Sequence, residues 1–280
     1  MELNRRGLVF GAASMTALGL SETAKAANYA WIAHHGMTSQ QYQQQFNQAT
    51  AQGFRPVLVD GYNVAGTPLF AAIWAKTGGG AWVARHDMTG AQYQQQFNQW
   101  GGQGYRLTKV SGYQAGGQAF YAAIWEKKPS GAWVARHGMN SAQYQQTFNN
   151  LTGQGYQPAH VDGYFVGNVD YYAAIFEKPA QAGIARHGMT SGVYQQQFDQ
   201  NAQQGFRLKQ VSGYGNGNAP RFAALWDRQP SGPWVARHNL TSAEFQQIFN
   251  DLTGQGYRLA DISGYDYQGA DRYACIFVKD

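Results

Sequence analysis

Residues 82–105 read Trp82-Val-Ala-Arg-His-Asp-Met-Thr-Gly-Ala-Gln-Tyr-Gln-Gln-Gln-Phe-Asn-Gln-Trp-Gly-Gly-Gln-Gly-Tyr105, and two periods meet in them. Trp82, Ala84 and His86 alternate with Val83 and Arg85, the period of a strand. From Thr89 the period lengthens: Tyr93, Phe97 and Trp100 stand at i, i+4 and i+7, one apolar stripe on a Gln/Asn-covered helix. Thr89 with Gln92 three residues on forms a capping box, and Met88 with Tyr93 a hydrophobic staple. Gly104 followed by Tyr105 predicts a left-handed glycine stop.

Beyond this stop, Tyr105 to Tyr113 reads as a strand ending in Ser-Gly-Tyr. A Gly-rich connection leads to Phe120-Tyr-Ala-Ala-Ile-Trp-Glu-Lys, apolar on both faces like a strand buried on both sides. The unit is βαββ. It recurs from Trp31, Trp82, Trp133, Gly183 and Trp234, at spacings of 51, 51, 50 and 51 residues. Thr38 with Gln41, Asn140 with Gln143 and Thr241 with Glu244 repeat the capping box, Val193 interrupts it in the fourth copy, and Gly53, Gly155, Gly205 and Gly256 repeat the stop. One such unit cannot cover its own sheet. The predicted fold is therefore α+β: five tandem βαββ repeats sharing one core, strands inside and helices outside, as an open arc or a closed ring. The copies fall near 31–80, 81–130, 131–181, 182–231 and 232–280, within a single repeat domain spanning 28–280.

Ahead of them, a basic start, an apolar stretch from Leu8 to Leu20 and the small-residue pattern at Ala24-Lys25-Ala26 identify residues 1–27 as a signal peptide. Arg5-Arg6 resembles a twin-arginine signal, although Leu8 stands where such signals prefer Phe; ordinary secretion is the alternative. The expected location is secreted or periplasmic. Without the leader, 18 basic and 14 acidic residues leave a net charge of +4, with no Lys/Arg run, so nucleic acid is not an expected partner. No later stretch is apolar for the roughly 18 residues of a membrane span. Cys275 is the single cysteine and aligns with Ala72, Ala123, Ala174 and Ala224, which reads as a small core residue rather than a nucleophile.

Three repeated positions carry candidate chemistry. His35, His86, His137, His187 and His238 are equivalent, with Arg85, Arg136, Arg186 and Arg237 before the last four. One His per copy could hold a metal only at a narrow axis, so neither metal nor cofactor is expected, and a hydrogen-bonded strand histidine is the competing reading. Asp60, Ser111, Asp162, Ser212 and Ser263 precede a Gly-Tyr pair in each copy. With the histidines they could be imagined as a hydrolytic triad, but no Gly-x-Ser-x-Gly or Ser-x-x-Lys sequence accompanies them. Tyr62, Tyr113, Tyr164, Tyr214 and Tyr265 stand beside variable Gly-rich loops, the composition of an adaptable recognition surface.

The Trp-Val-Ala-Arg-His-Gly start, the Tyr-Gln-Gln-x-Phe helix, the Gly-Gln-Gly-Tyr-Arg link, the Val-Ser-Gly-Tyr turn and the Tyr-Ala-Ala-Ile-Trp-Glu strand resemble a bacterial tandem-repeat family often joined to secreted serine-hydrolase domains. The N-terminal region of fungal polyglycine hydrolases is similar. The resemblance covers residues 31–280, with His34 in place of the Arg in copy one and Gly183 in place of the Trp in copy four. It implies a repeat and no activity, because catalysis in those relatives is attributed to a separate β-lactamase-like domain, and no catalytic residue carries over. The expectation is a secreted, non-catalytic module that binds an extended polymer, polysaccharide or Gly-rich peptide. The named Tyr, Arg and His sets of copies two to five, with Tyr62, are the candidate contacts. The alternatives are a serine-type or metal-dependent enzyme using the His/Ser/Asp set, and a structural coat or matrix protein.

Overall fold

The computed structural model describes residues 29–129, 131–178, 183–215, 217–229 and 232–279; the leader expected over 1–27 lies outside them. Copy one comprises β1 (Trp31–Met37), α1 (Ser39–Ala51), β2 (Arg55–Val64) and β3 (Thr67–Ala75). Copy two follows with β4 (Trp82–Thr89), α2 (Gly90–Gly102), β5 (Arg106–Ala115) and β6 (Gln118–Glu126). Copy three has β7 (Ala132–Asn140), α3 (Ser141–Gly153), β8 (Gln157–Val166) and β9 (Val169–Lys178). Copies four and five add β10 (Ile184–Thr190), α4 (Ser191–Gln203), β11 (Arg207–Tyr214), β12 (Arg221–Asp227), and β13 (Trp234–Leu240), α5 (Ser242–Gly254), β14 (Arg258–Tyr267), β15 (Ala270–Val278). Each copy is one antiparallel three-stranded sheet in which the last strand lies in the middle, as in β1-β3-β2.

The local signals act where they were read. Capping boxes close on Thr38, Thr89, Asn140 and Thr241, whereas Thr190 caps α4 without a reciprocal side chain. At the other end Tyr105 N–H donates to Trp100 O at 3.0 Å and Gly104 N–H to Gly101 O at 3.0 Å, with Gly104 at φ +80°, a Schellman stop.

The five copies close into a ring. β2, β5, β8, β11 and β14 pack side by side around the axis, and β14 returns against β2. The shared core takes the form of five apolar clusters, one at each junction of neighbouring copies, including that of the fifth with the first. Each middle strand feeds two of them: Phe70, Ala72 and Trp74 face the second copy, while Ala71, Ile73 and Ala75 face the fifth. That is why this strand is apolar on both faces. The Ala-Ala pair, and Ala274-Cys275 in copy five, are at most 1% exposed, and burial pushes the Cys275 thiol up to about 12. Each helix lies across its own sheet with its Gln/Asn face in solvent and its stripe against the next copy, where Tyr93 meets His137 and Phe97 meets Trp133. No described helix is long and apolar enough to cross a membrane.

Candidate functional site

The inner strands are sheet edges, and edge N–H and C=O groups buried at an axis need partners. Side chains of the next copy supply them. Gly61 N–H donates to Ser111 Oγ at 2.9 Å, Gly112 to Asp162 Oδ2 at 2.7 Å, Gly163 to Ser212 Oγ at 3.0 Å, Gly213 to Ser263 Oγ at 3.0 Å, and Gly264 closes the circle on Asp60 Oδ2 at 2.7 Å. Two residues earlier a second layer does the same. Gln210 bonds both N–H and C=O of Val161, His160 Nε2 lies 2.6 Å from Val110 O, and Asp261 accepts from Val211 N–H at 2.8 Å. Burial raises the carboxyls of Asp60 and Asp162 well above the usual range, and that of Asp261 to about 6, while it lowers the His160 imidazole to about 3.

The five tyrosines are spent on the same junctions. Each is 1–5% exposed, and its ring lies flat on the preceding copy's glycine, where a Cβ at Gly112 would fall 2.5 Å from the Tyr164 ring. Their hydroxyls accept from Gly36, Asp87, Gly138, Gly188 and Asn239 N–H at 2.9–3.2 Å. These donors carry φ of 54–64°, which explains the Gly, Asp or Asn after each His. The tyrosines named as ligand contacts are thus buried, with their rings and hydroxyls engaged in packing the junctions. The pit they line at the axis holds about 30 Å³, room for a water molecule.

The histidines sit on the outer strands, far from any convergence at the axis. His86, His137, His187 and His238 meet the Tyr of the preceding helix edge-on at 4.6–4.9 Å, and desolvation lowers each imidazole, keeping it neutral near pH 7. His35, the seam equivalent, meets Phe245 and is lowered to about 3. Nε2 lies 3.0–3.2 Å from the first helical serine of the preceding copy in His35–Ser242, His187–Ser141 and His238–Ser191. This pairing recurs as a junction contact, and the Ser/Asp set of the axis lies on a different strand from the histidines; at the junction of copies one and two Ser39 Oγ instead donates to Asp87, whose Oδ2 lies 3.5 Å from His86 Nε2, so the serine meets the carboxylate rather than the imidazole. Among the described residues no three His, Cys, Asp or Glu side chains gather as a metal set. Arg85, Arg136, Arg186 and Arg237 are exposed on the rim, each Nη1 donating to the preceding Ala carbonyl at 2.8–2.9 Å.

One open groove of about 600 Å³ lies on the hairpin end of the ring, between copies three and four. Phe165, Asn168, Val169 and Asp170 form one wall, Asn218 and Arg221 the other, and Asn140 and Ser141 line it at the start of α3. Asp170 and Arg221 pair across it at 3.1 Å, and Val169 is 39% exposed. Its cause is local. In copies one, two, three and five the strand ladder runs to the hairpin tip, but β11 stops at Tyr214 and β12 begins at Arg221. Gly215-Asn-Gly-Asn-Ala-Pro220 between them has no β-branched or aromatic residue, and Pro220 has no N–H. Copy one keeps its ladder despite Pro68 because Val64 pairs with Thr67. The freed segment bridges instead to copy five, Gly217 to Tyr267, which leaves the space beside copy three. The sequence marks the Gly215-Asn-Gly-Asn218 loop as one of the variable Gly-rich connections beside the tyrosines, whereas Phe165, Asn168, Val169, Asp170 and Arg221 carry no signal of their own; what could have found the groove is a hairpin devoid of strand formers.

The model of the polyglycine hydrolase-like structural repeat matches residues 28–77, 79–128, 130–179, 180–229 and 231–280, and the chain belongs to this family. A search of curated proteins finds no match.

Proposed function

We propose that this protein is a secreted or periplasmic, non-catalytic recognition module that binds an extended uncharged polymer, a polysaccharide or Gly-rich peptide, in the groove between the third and fourth hairpins. The observation that carries the reading is the groove itself: a cleft of ligand-holding size on a ring whose repeated axial Ser/Asp and Tyr side chains are engaged at its junctions. Phe165 supplies an aromatic ring, Asn168 an amide donor and acceptor, and Asn140 its amide NH2 while its Oδ1 caps α3, and the Asp170–Arg221 pair is neutral in sum. Such a lining suits hydroxyls and peptide amides rather than a strong anion. A glycan and peptide array probed with residues 28–280 tests it. Binding should appear on one neutral class and fall at least tenfold when Phe165→Ala, Asn168→Ala and Asn218→Ala are combined in a folded variant. Binding that ignores those changes, or self-assembly with no polymer bound, overturns the reading.

A further inference from the structure

The repeat period converts residues some fifty positions apart into one face. Lys76, Lys127, Arg228 and Lys279 follow the middle strands of their copies and Lys178 ends that of the third, all exposed and all at the end of the ring opposite the hairpins. Each cation rests over an aromatic ring of its own copy, Phe54, Tyr105, Tyr156, Phe206 and Tyr257, at 4.2–5.8 Å. Lys178 and Arg228 also donate to the last helical turn's carbonyl neighbours, Gln154 O and Gln204 O. These contacts give the cation a place in every copy, and they leave five exposed positive charges at that end of the ring. Among the described residues no carboxylate lies within ion-pairing distance of any of the five.

The surroundings add to this charge. Lys128 stands beside Lys127, and Arg55, Arg106, Arg207 and Arg258 open the inner strands at the same end. Among the described residues Glu126 pairs with Arg55 and Lys128, Glu177 with Arg106 and Asp227 with Arg207. At the hairpin end Asp170, Asp266 and Asp271 outnumber Arg221 and Arg272. The ring is thus electrically two-sided, although its net charge is small.

We propose that the basic end docks face-on against an anionic phospholipid surface, leaving the hairpin end and its groove turned away from the lipid. A linear polyanion crossing the end of a ring would meet two or three sectors at a time. A flat charged surface meets all five. Lysines seated on tyrosine and phenylalanine are point charges on an amphipathic bed, the pairing that membrane–water interfaces favour, and each cation near such a surface strengthens binding about fivefold.

Sedimentation of residues 28–280 with phosphatidylcholine vesicles, with and without phosphatidylglycerol, tests the proposal. The protein should partition onto the anionic vesicles at low salt and leave them at high salt, with no binding to the neutral ones. Combining Lys76→Gln, Lys127→Gln, Lys178→Gln and Lys279→Gln should weaken partitioning by at least about a hundredfold. The four matching Lys→Arg changes, which preserve charge and helix contacts, should retain it. Removing four charges from the rim, by Gln at Arg85, Arg136, Arg186 and Arg237, should cost far less. A folded protein that ignores anionic vesicles, binds neutral ones equally, or keeps its affinity in the Lys→Gln variant overturns the proposal. Capture by soluble polyphosphate without vesicle binding overturns it too, assigning the face to a polymer.

Discussion

Gly112→Ala tests the ring at the contact that repeats most faithfully. The new methyl would stand 2.5 Å from both Cδ1 and Cε1 of Tyr164, so the ring must retreat by about 1 Å to reach ordinary contact. It has nowhere to go without loss: its hydroxyl is 2.7 Å from Tyr121 OH and accepts from Gly138 N–H at 3.1 Å. Overpacking of a close-packed core costs about 1–3 kcal/mol, and two strained or broken hydrogen bonds add about 1 kcal/mol each. The expected destabilisation is about 3–5 kcal/mol, read as a lower midpoint in urea melts of residues 28–280. Tyr164→Ala is costly by itself, but it empties the space above the glycine, so adding Gly112→Ala to it should be nearly free. Such a cycle isolates the coupling. Gly112→Ala as stable as wild type, or costs that simply add, would show that the tyrosine does not sit on the glycine.

Gly104→Val should cost on the order of 1 kcal/mol or more for a different reason: nothing is closer than Lys127 Cε at 4.0 Å, but φ of +80° excludes a β-branched residue, and an unchanged urea midpoint would contradict the stop. Asp261→Asn makes a pH-dependent prediction. Burial lifts the carboxyl from 3.8 to about 6, so the fold disfavours its charged form; the penalty is absent below pH 4, grows between 4 and 6 and is complete above. The amide keeps an acceptor for Val211 N–H, so the variant should exceed wild type by up to ~3 kcal/mol at pH 8 and match it at pH 4. A gap that does not change with pH would rule out the carboxyl as its source.

The elements of each copy were legible because their signals are local. A capping box spans four residues, a Schellman stop six, and strand alternation fewer than ten. Closure was not legible, since arc and ring share one period; the deciding contact, Gly264 to Asp60, joins residues 204 apart. The junction role of the tyrosines was hidden for the same reason. Next to Gly-rich loops they read as recognition residues, whereas the glycine each one covers belongs to another copy. Charge was read along the chain, where the cations are diluted to one per copy, and the ring then gathers them at one end. The alanine pair and Cys275 were correctly placed because two-sided burial leaves a signature within a single strand.

Four of the five junctions are crossed by the linkers between successive copies; the fifth, where copy five meets copy one, is held by non-covalent contacts, among them Gly264 N–H on Asp60 and Ala65 N–H on Asp266. That seam is also the most heavily greased. Where α2 and α3 each bury a single tyrosine, α5 buries Phe245, Phe249, Leu252 and Thr253, and opposite them Trp31 and His35 are 2% and 0% exposed while Trp82 and Trp133 are only half-buried. A tether lends effective concentration to a contact, and an untethered contact must find the same strength in surface. Extra apolar area at the clasp offsets the missing link, so the circle behaves as a bracelet whose fastening is sewn more tightly than its beads.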